Sequence, residues 1–174
     1  MAEQQVERFE QAVLPHLDDA YTLARYLLRD EHDAQDAVQE AVLRALRHFA
    51  GFRQGDARAW LLAIVRNCCY TWHKAHRKDR LTVALTENAA KGIADPGATD
   101  DLAVEGSERE HVQAAVDALP AELREVIVLR ELSELSYREI SEVVGAPIGT
   151  VMSRLSRARD RLAVVLGADS RKAG

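Results

Sequence analysis

The sequence predicts an all-α protein: two small helical domains, residues 1–80 and 111–174, joined by a flexible acidic linker over 81–110. Three observations carry this expectation. Aromatics make up 5% of the 174 residues while Ala, Leu, Val, Glu and Arg dominate, a composition that suits helices better than a sheet-rich sandwich. Apolar residues recur at helical spacing in two separate blocks. Between the blocks the periodicity fails, across Gly92, Pro96, Gly97 and Gly106, and an irregular stretch of that length argues for a tether between two units. At 47% hydrophobic the chain can bury a core.

The first helix is expected over about Phe9 to Leu28, with Val13, Leu17, Tyr21, Ala24 and Leu28 on one side. The second begins near Ala34: Ala37, Val38, Ala41, Val42, Ala45, Leu46 and Phe49 face inward, and Asp36, Gln39, Glu40, Arg44 and Arg47 face water. Asp30, Glu31 and Asp33 stand at its start, where carboxylates cap free amides and complement the helix dipole. Gly51 and Gly55 mark a loop. A third helix starts near Ala57 and passes Trp72, burying Trp60, Leu61, Ile64, Val65, Cys68 and Trp72.

Order resumes after the linker with Val112, Val116 and Leu119, and Pro120 opens a further helix carrying Leu123, Val126 and Ile127. Ser136-Tyr137-Arg138-Glu139 forms a capping box for a helix that stops at Gly145. The last helix runs from Thr150 to about Leu166, with Val151, Leu155, Ala158 and Leu162 inward and Met152, Ser153, Ser156, Arg157 and Arg159 outward. Helix, short glycine turn, helix is the helix-turn-helix arrangement. Arginines and small hydroxyls on an exposed second helix suit phosphates and base edges in a major groove. An ordinary αα-hairpin with a charged face is the alternative.

Net charge is −5, but the distribution matters more than the sum. Residues 1–50 carry ten acids against five Lys/Arg; residues 51–80 carry seven basics against two acids; residues 81–110 carry seven acids against two basics. The remainder is neutral, with Arg154, Arg157, Arg159 and Arg161 crowded together. Two basic patches separated by an acidic segment fit a phosphate footprint, or else two solvated helix faces. The longest apolar run, which includes Trp60 to Val65 and begins at Ala59, is far short of the ~20 residues a membrane span needs. No secretory signal is expected at Met1, and the only cysteines, Cys68 and Cys69, are adjacent, so a disulfide framework is disfavoured and a cytoplasmic location fits.

These residues also carry a family resemblance. Asp33-Ala-Gln-Asp36-Ala-Val-Gln39-Glu40-Ala-Val-Leu-Arg-Ala-Leu resembles the polymerase-binding helix of bacterial sigma factors. Phe52-Arg53, Arg58-Ala-Trp60-Leu61 and Ile64-Val-Arg66-Asn67 resemble the segment that handles the minus-10 element. Leu119-Pro120, Arg124-Glu125-Val126, Tyr137-Arg138-Glu139-Ile140 and Gly149-Thr150-Val151-Met152-Ser153-Arg154-Leu155 with Arg157-Ala158-Arg159 resemble the minus-35 reader. The match is to the short extracytoplasmic-function (ECF) sigma factors.

The resemblance implies a transcription initiation factor whose partners are core RNA polymerase, through its β′ clamp helices and β flap, and promoter DNA. Asp33, Asp36, Gln39 and Glu40 would dock on polymerase. Arg53, Arg66, Asn67, Tyr70, His73, Lys74 and Arg77 would serve the minus-10 element, with Asn67 and the loop 49–56 holding a flipped base. Met152, Ser153, Arg154, Ser156, Arg157 and Arg159 would read the minus-35 element. Met152 stands where many family members carry Lys or Arg, so one cationic contact is replaced by an apolar one. The acidic linker would enter the channel for nascent RNA, or act as a passive tether. Family members are usually restrained by an anti-sigma factor, often membrane-bound.

No cofactor, small-molecule substrate or enzymatic activity is expected, since neither a phosphate-cradling glycine loop nor a nucleophile-base-orienter set can be assembled. Three other readings stay open. Cys69, His73 and His76 at i, i+4 and i+7 could ligate a metal. A sigma-like decoy could sequester an anti-sigma factor without touching promoters. A helix-turn-helix repressor would explain residues 119–166 and leave 30–80 without a role.

Overall fold

The computed structural model describes residues 2–90 and 103–172, with side chains described over 2–77 and 106–167. Every regular element among the described residues is helical. Helix α1 (Ala2–Val13) is followed by a 3₁₀ turn (Leu14–His16) and α2 (Leu17–Leu28). The single helix expected from Phe9 to Leu28 is therefore two, because Pro15 offers no amide and its ring crowds the preceding turn. Arg29 closes α2 in the left-handed conformation, at φ 59°.

Helix α3 (Glu31–His48) begins where the Asp30 carboxylate accepts the Asp33 amide at 2.9 Å. Its buried stripe is Ala34, Ala37, Ala41 and Ala45, small residues that let neighbouring backbones approach closely. Leu46, expected inward, stays 42% exposed, because that alanine stripe rather than the leucine faces the bundle. After a 3₁₀ turn (Phe49–Gly51), Asp56 caps the start of α4 (Ala57–Ala90), accepting the Arg58 amide at 2.9 Å. Leu61, Leu62, Val65, Cys68 and Cys69 are buried along it, with Trp60, Ile64 and Trp72 partly so.

The irregular stretch expected over 81–110 is helical at both ends. Helix α4 continues through Ala90 because no glycine or proline interrupts it before Gly92, and α5 spans Ala103–Asp117. The core of the acidic segment, 91–102, lies outside the described residues. Helix α6 (Ala121–Ile127) starts after Pro120 and passes into a π turn (Val128–Leu132). Helices α7 (Tyr137–Val144) and α8 (Ile148–Lys172) complete the chain, α8 extending past the expected end near Leu166.

Helices α2, α3 and α4 pack on one another, and Phe9, Phe49, Phe52 and Trp60 form an aromatic cluster with centroid separations of 4.7 to 6.3 Å. Helices α6, α7 and α8 close around Leu129, Leu135, Ile140 and Leu155, all at 1% exposure or less. The two halves are not held apart: α4 lies along α7 and α2 against α6. Arg124 is buried at this seam, donating to the carbonyls of Leu119 at 2.7 Å, Asp117 at 3.0 Å and Tyr26 at 3.4 Å. Arg29 also donates to the Asp117 carbonyl.

Candidate nucleic-acid interface

The helix-turn-helix is assembled as its sequence dictates. The Ser136 hydroxyl accepts the Glu139 amide at 3.1 Å and the Glu139 carboxylate accepts the Ser136 amide at 2.6 Å, so both orphan donors at the start of α7 are satisfied. Gly145, at φ 67°, makes the left-handed stop, its amide donating to Ser141 at 2.9 Å. Val151, Leu155 and Ala158 then seat α8 on the core, which turns Met152, Ser153, Ser156, Arg157 and Arg159 to solvent. Arg159 is paired with Glu131 at 2.9 Å, a hydrogen bond that holds its guanidinium above the ordinary arginine range. Arg154 is mostly covered and lies 3.9 Å from Glu122.

The α4 surface is different. Asn67, Lys74 and Arg77 are exposed, as is Arg53 on the 49–56 loop. Arg66, Tyr70 and His73 are half-buried and already engaged. Arg66 donates from Nε to Glu125 Oε2 at 2.7 Å and from Nη2 to Oε1 at 3.1 Å, a forked arrangement, with its guanidinium 4.6 Å from the Tyr70 ring centroid. Tyr70 donates its hydroxyl proton to Glu125 Oε2 at 3.1 Å. The Glu125 side chain is 0% exposed. Burial and the Glu125 charge push the Tyr70 phenol up to about 12; burial works against the Arg66 charge, but Glu125 more than offsets it and the guanidinium stays above its ordinary range. His73 donates from Nε2 to the Leu27 carbonyl at 2.7 Å, within its own half of the molecule. The expected uniform outer face of the third helix is thus split, with Asn67, Lys74 and Arg77 open and Arg66, Tyr70 and His73 occupied.

The loop groove is also shared between the halves: His48, Phe52, Arg53, Asp56 and Trp60 line it together with Glu142 of α7. Arg58 pairs with Asp19 at 2.8 Å and donates to the Ser133 carbonyl across the seam. On α3, Asp36 and Gln39 are exposed, Asp33 and Glu40 half-buried, and Glu40 binds Arg44 at 2.8 Å. Beside them runs an apolar groove lined by Leu17, Tyr21, Val38, Val42 and Leu43.

The alternative metal set does not converge. Cys69 is fully buried, its thiol pushed up to about 12 by burial, and His76 stacks on Trp72 at 4.1 Å. Among the described residues no three His, Cys, Asp or Glu side chains come together as a metal site. Sequence reasoning missed Glu125, Glu142, Arg58 and Arg124 as contacts across the seam. A signal was available for two of them: Arg124-Glu125 sits within the apolar run Leu123, Val126, Ile127, and charges in such a run need partners.

Residues 12–79 match the family described as sigma-70 region 2, and residues 109–162 match sigma-70 region 4. The ECF RNA polymerase sigma factor EcfG of Rhodopseudomonas palustris is 37% identical over 78% of this chain and 72% of its own length. The ECF RNA polymerase sigma factor SigE of Mycolicibacterium smegmatis is 32% identical over 88% of this chain, which spans only 60% of that protein's length. The sigma factor RpoE from Bartonella quintana, solved in complex with the anti-sigma factor NepR, superposes with a TM-score of 0.70 at 29% identity, covering 94% of this chain and 99% of that one. The chain belongs to the extracytoplasmic-function sigma factors of the sigma-70 family, transcription initiation factors built from a region 2 and a region 4.

Proposed function

We propose that this chain binds core RNA polymerase, directs it to promoters carrying minus-35 and minus-10 elements, and stabilises the melted minus-10 strand. One observation carries the DNA half of this reading: α8, capped and seated by a helix-turn-helix, turns Met152, Ser153, Ser156 and Arg157 outward as a face fit for a major groove. The apolar groove between α2 and α3, rimmed by the exposed Asp36 and Gln39, supports docking of a helical partner with basic flanks, the role proposed for the polymerase clamp. Asp33 and Glu40 complete that acidic edge.

On the minus-10 side, Arg53, Asn67, Lys74 and Arg77 offer cations and an amide to a single strand. Arg66 and Tyr70 would join them once the seam opens, and His73 once it leaves the Leu27 carbonyl. Melting would then draw on binding free energy, without an enzymatic step. An anti-sigma partner is proposed by analogy with the Bartonella complex. No helix of the described residues is long and apolar enough to cross a membrane; a cytoplasmic site of action follows from the proposed partners, core polymerase and promoter DNA.

Run-off transcription with core polymerase on fragmented genomic DNA tests the reading. New transcripts that share a promoter pair about two helical turns apart are expected. Core binding without any transcript would replace it with the decoy.

A further inference from the structure

The residue at the centre of the seam has no role in the function above. Glu125 is a fully buried carboxylate from α6, and it is bound from α4 by Arg66 and Tyr70, two groups assigned to the minus-10 strand. A planar carboxylate forked onto a guanidinium, with a phenol on the same oxygen, presents the acceptor geometry of a nucleic-acid phosphate. We propose that Glu125 is an internal latch, its carboxylate occupying Arg66 and Tyr70 in place of a DNA phosphate and holding the free chain in a closed form that single-stranded DNA must displace.

Other contacts close over the same surface. Glu142 of α7 stands in the loop groove beside Arg53 and Trp60, so a second carboxylate faces the place proposed for a flipped base. Arg58 at the start of α4 donates to the Ser133 carbonyl from the far half. Region 4 thus lies on the strand-binding side of region 2, while Asp36, Gln39 and the groove beside them are left exposed. The closed chain could therefore meet polymerase first and DNA second. A two-state description gives the size of the effect: a chain open one-tenth of the time binds about tenfold more weakly than a fully open one.

The inference rests on the reading of α4 as a strand-binding surface, so the test separates the two. The full-length chain and its E125Q variant are compared by small-angle scattering and by anisotropy of a fluorescein-labelled, random-sequence single-stranded DNA, with run-off transcription in parallel. E125Q keeps the side-chain shape and removes the charge that holds Arg66. A larger radius of gyration and about five- to tenfold tighter strand binding are expected, the second figure following from the same population arithmetic. Y70F removes a single hydrogen bond and keeps the ring beneath Arg66; because Tyr70 is itself assigned to the strand, scattering alone is read from it, and a smaller rise in the radius of gyration decides the matter if E125Q does not fold. Unchanged scattering in the folded variants, with unchanged strand affinity where E125Q folds, would overturn the latch, even with run-off activity intact. An opened chain with tighter strand binding but no transcript from either protein would keep the latch and overturn the sigma reading.

Discussion

Helices α4 and α8 carry the same kinds of side chain and differ in where the engaged ones find their partners: Arg154 and Arg159 of α8 meet Glu122 and Glu131 of their own half. On α8 Arg157 and the small polar residues face water. On α4 Arg66 and Tyr70 are consumed by Glu125 from the other half. Duplex DNA keeps its bases stacked and its phosphates outside, so a reader of duplex can stand ready. A melted strand must be captured, and groups able to capture it also bind any acceptor on the same chain. The source of the partner, rather than residue type, distinguishes the two surfaces.

The sharpest way to break this comparison is to remove the cation on each side. R66A leaves the Glu125 carboxylate with only the Tyr70 hydrogen bond, and because the seam can open to hydrate it, the loss of stability should be about 1–2 kcal/mol, the order of the closed-to-open difference. Urea denaturation followed by circular dichroism measures it. R157A should leave stability within about 0.5 kcal/mol, as expected for an exposed site. The same substitution should weaken binding of a promoter duplex by about 1–3 kcal/mol, with core binding unchanged, read by anisotropy at fixed salt. Equal losses of promoter and core binding would undo the separation between the two regions.

A smaller effect sharpens the α8 side. S136A removes the cap that orients α7 against α8 and should cost about 1 kcal/mol, read as a lower denaturation midpoint. The smallest effect probes α4. Burial disfavours the thiolates of Cys68 and Cys69, the second pushed up to about 12, so neither should react with Ellman's reagent at pH 8 until the chain is unfolded. Fast reaction of the native protein would mean that α4 is not packed as described.

Much of this architecture could be read from residues in order. The capping box at Ser136, the stop at Gly145 and the apolar spacing of α8 are local devices, satisfied within a turn or two of chain, and the structure shows each of them. Proline at position 15 is equally local, yet apolar periodicity continues across it although the backbone cannot, so periodicity alone predicts one helix where there are two. The end of α4 departs from expectation for the reverse reason: losing the apolar periodicity after Arg80 does not end a helix while Ala, Leu and Glu still favour it. Of the residues proposed to bind the strand, spacing places Asn67, Lys74 and Arg77 on the outside, where the structure has them; it could not reveal that Arg66 and Tyr70 have a partner 59 and 55 residues away.

The sequence by itself determined the all-α class, the helix-turn-helix, the acidic face of α3 and the family, because periodicity, capping and turn chemistry act over a few residues. Only the tertiary structure decided which charges are free. A buried carboxylate is stable only against a cation and donors brought from elsewhere in the chain, and that pairing is a property of how α6 meets α4.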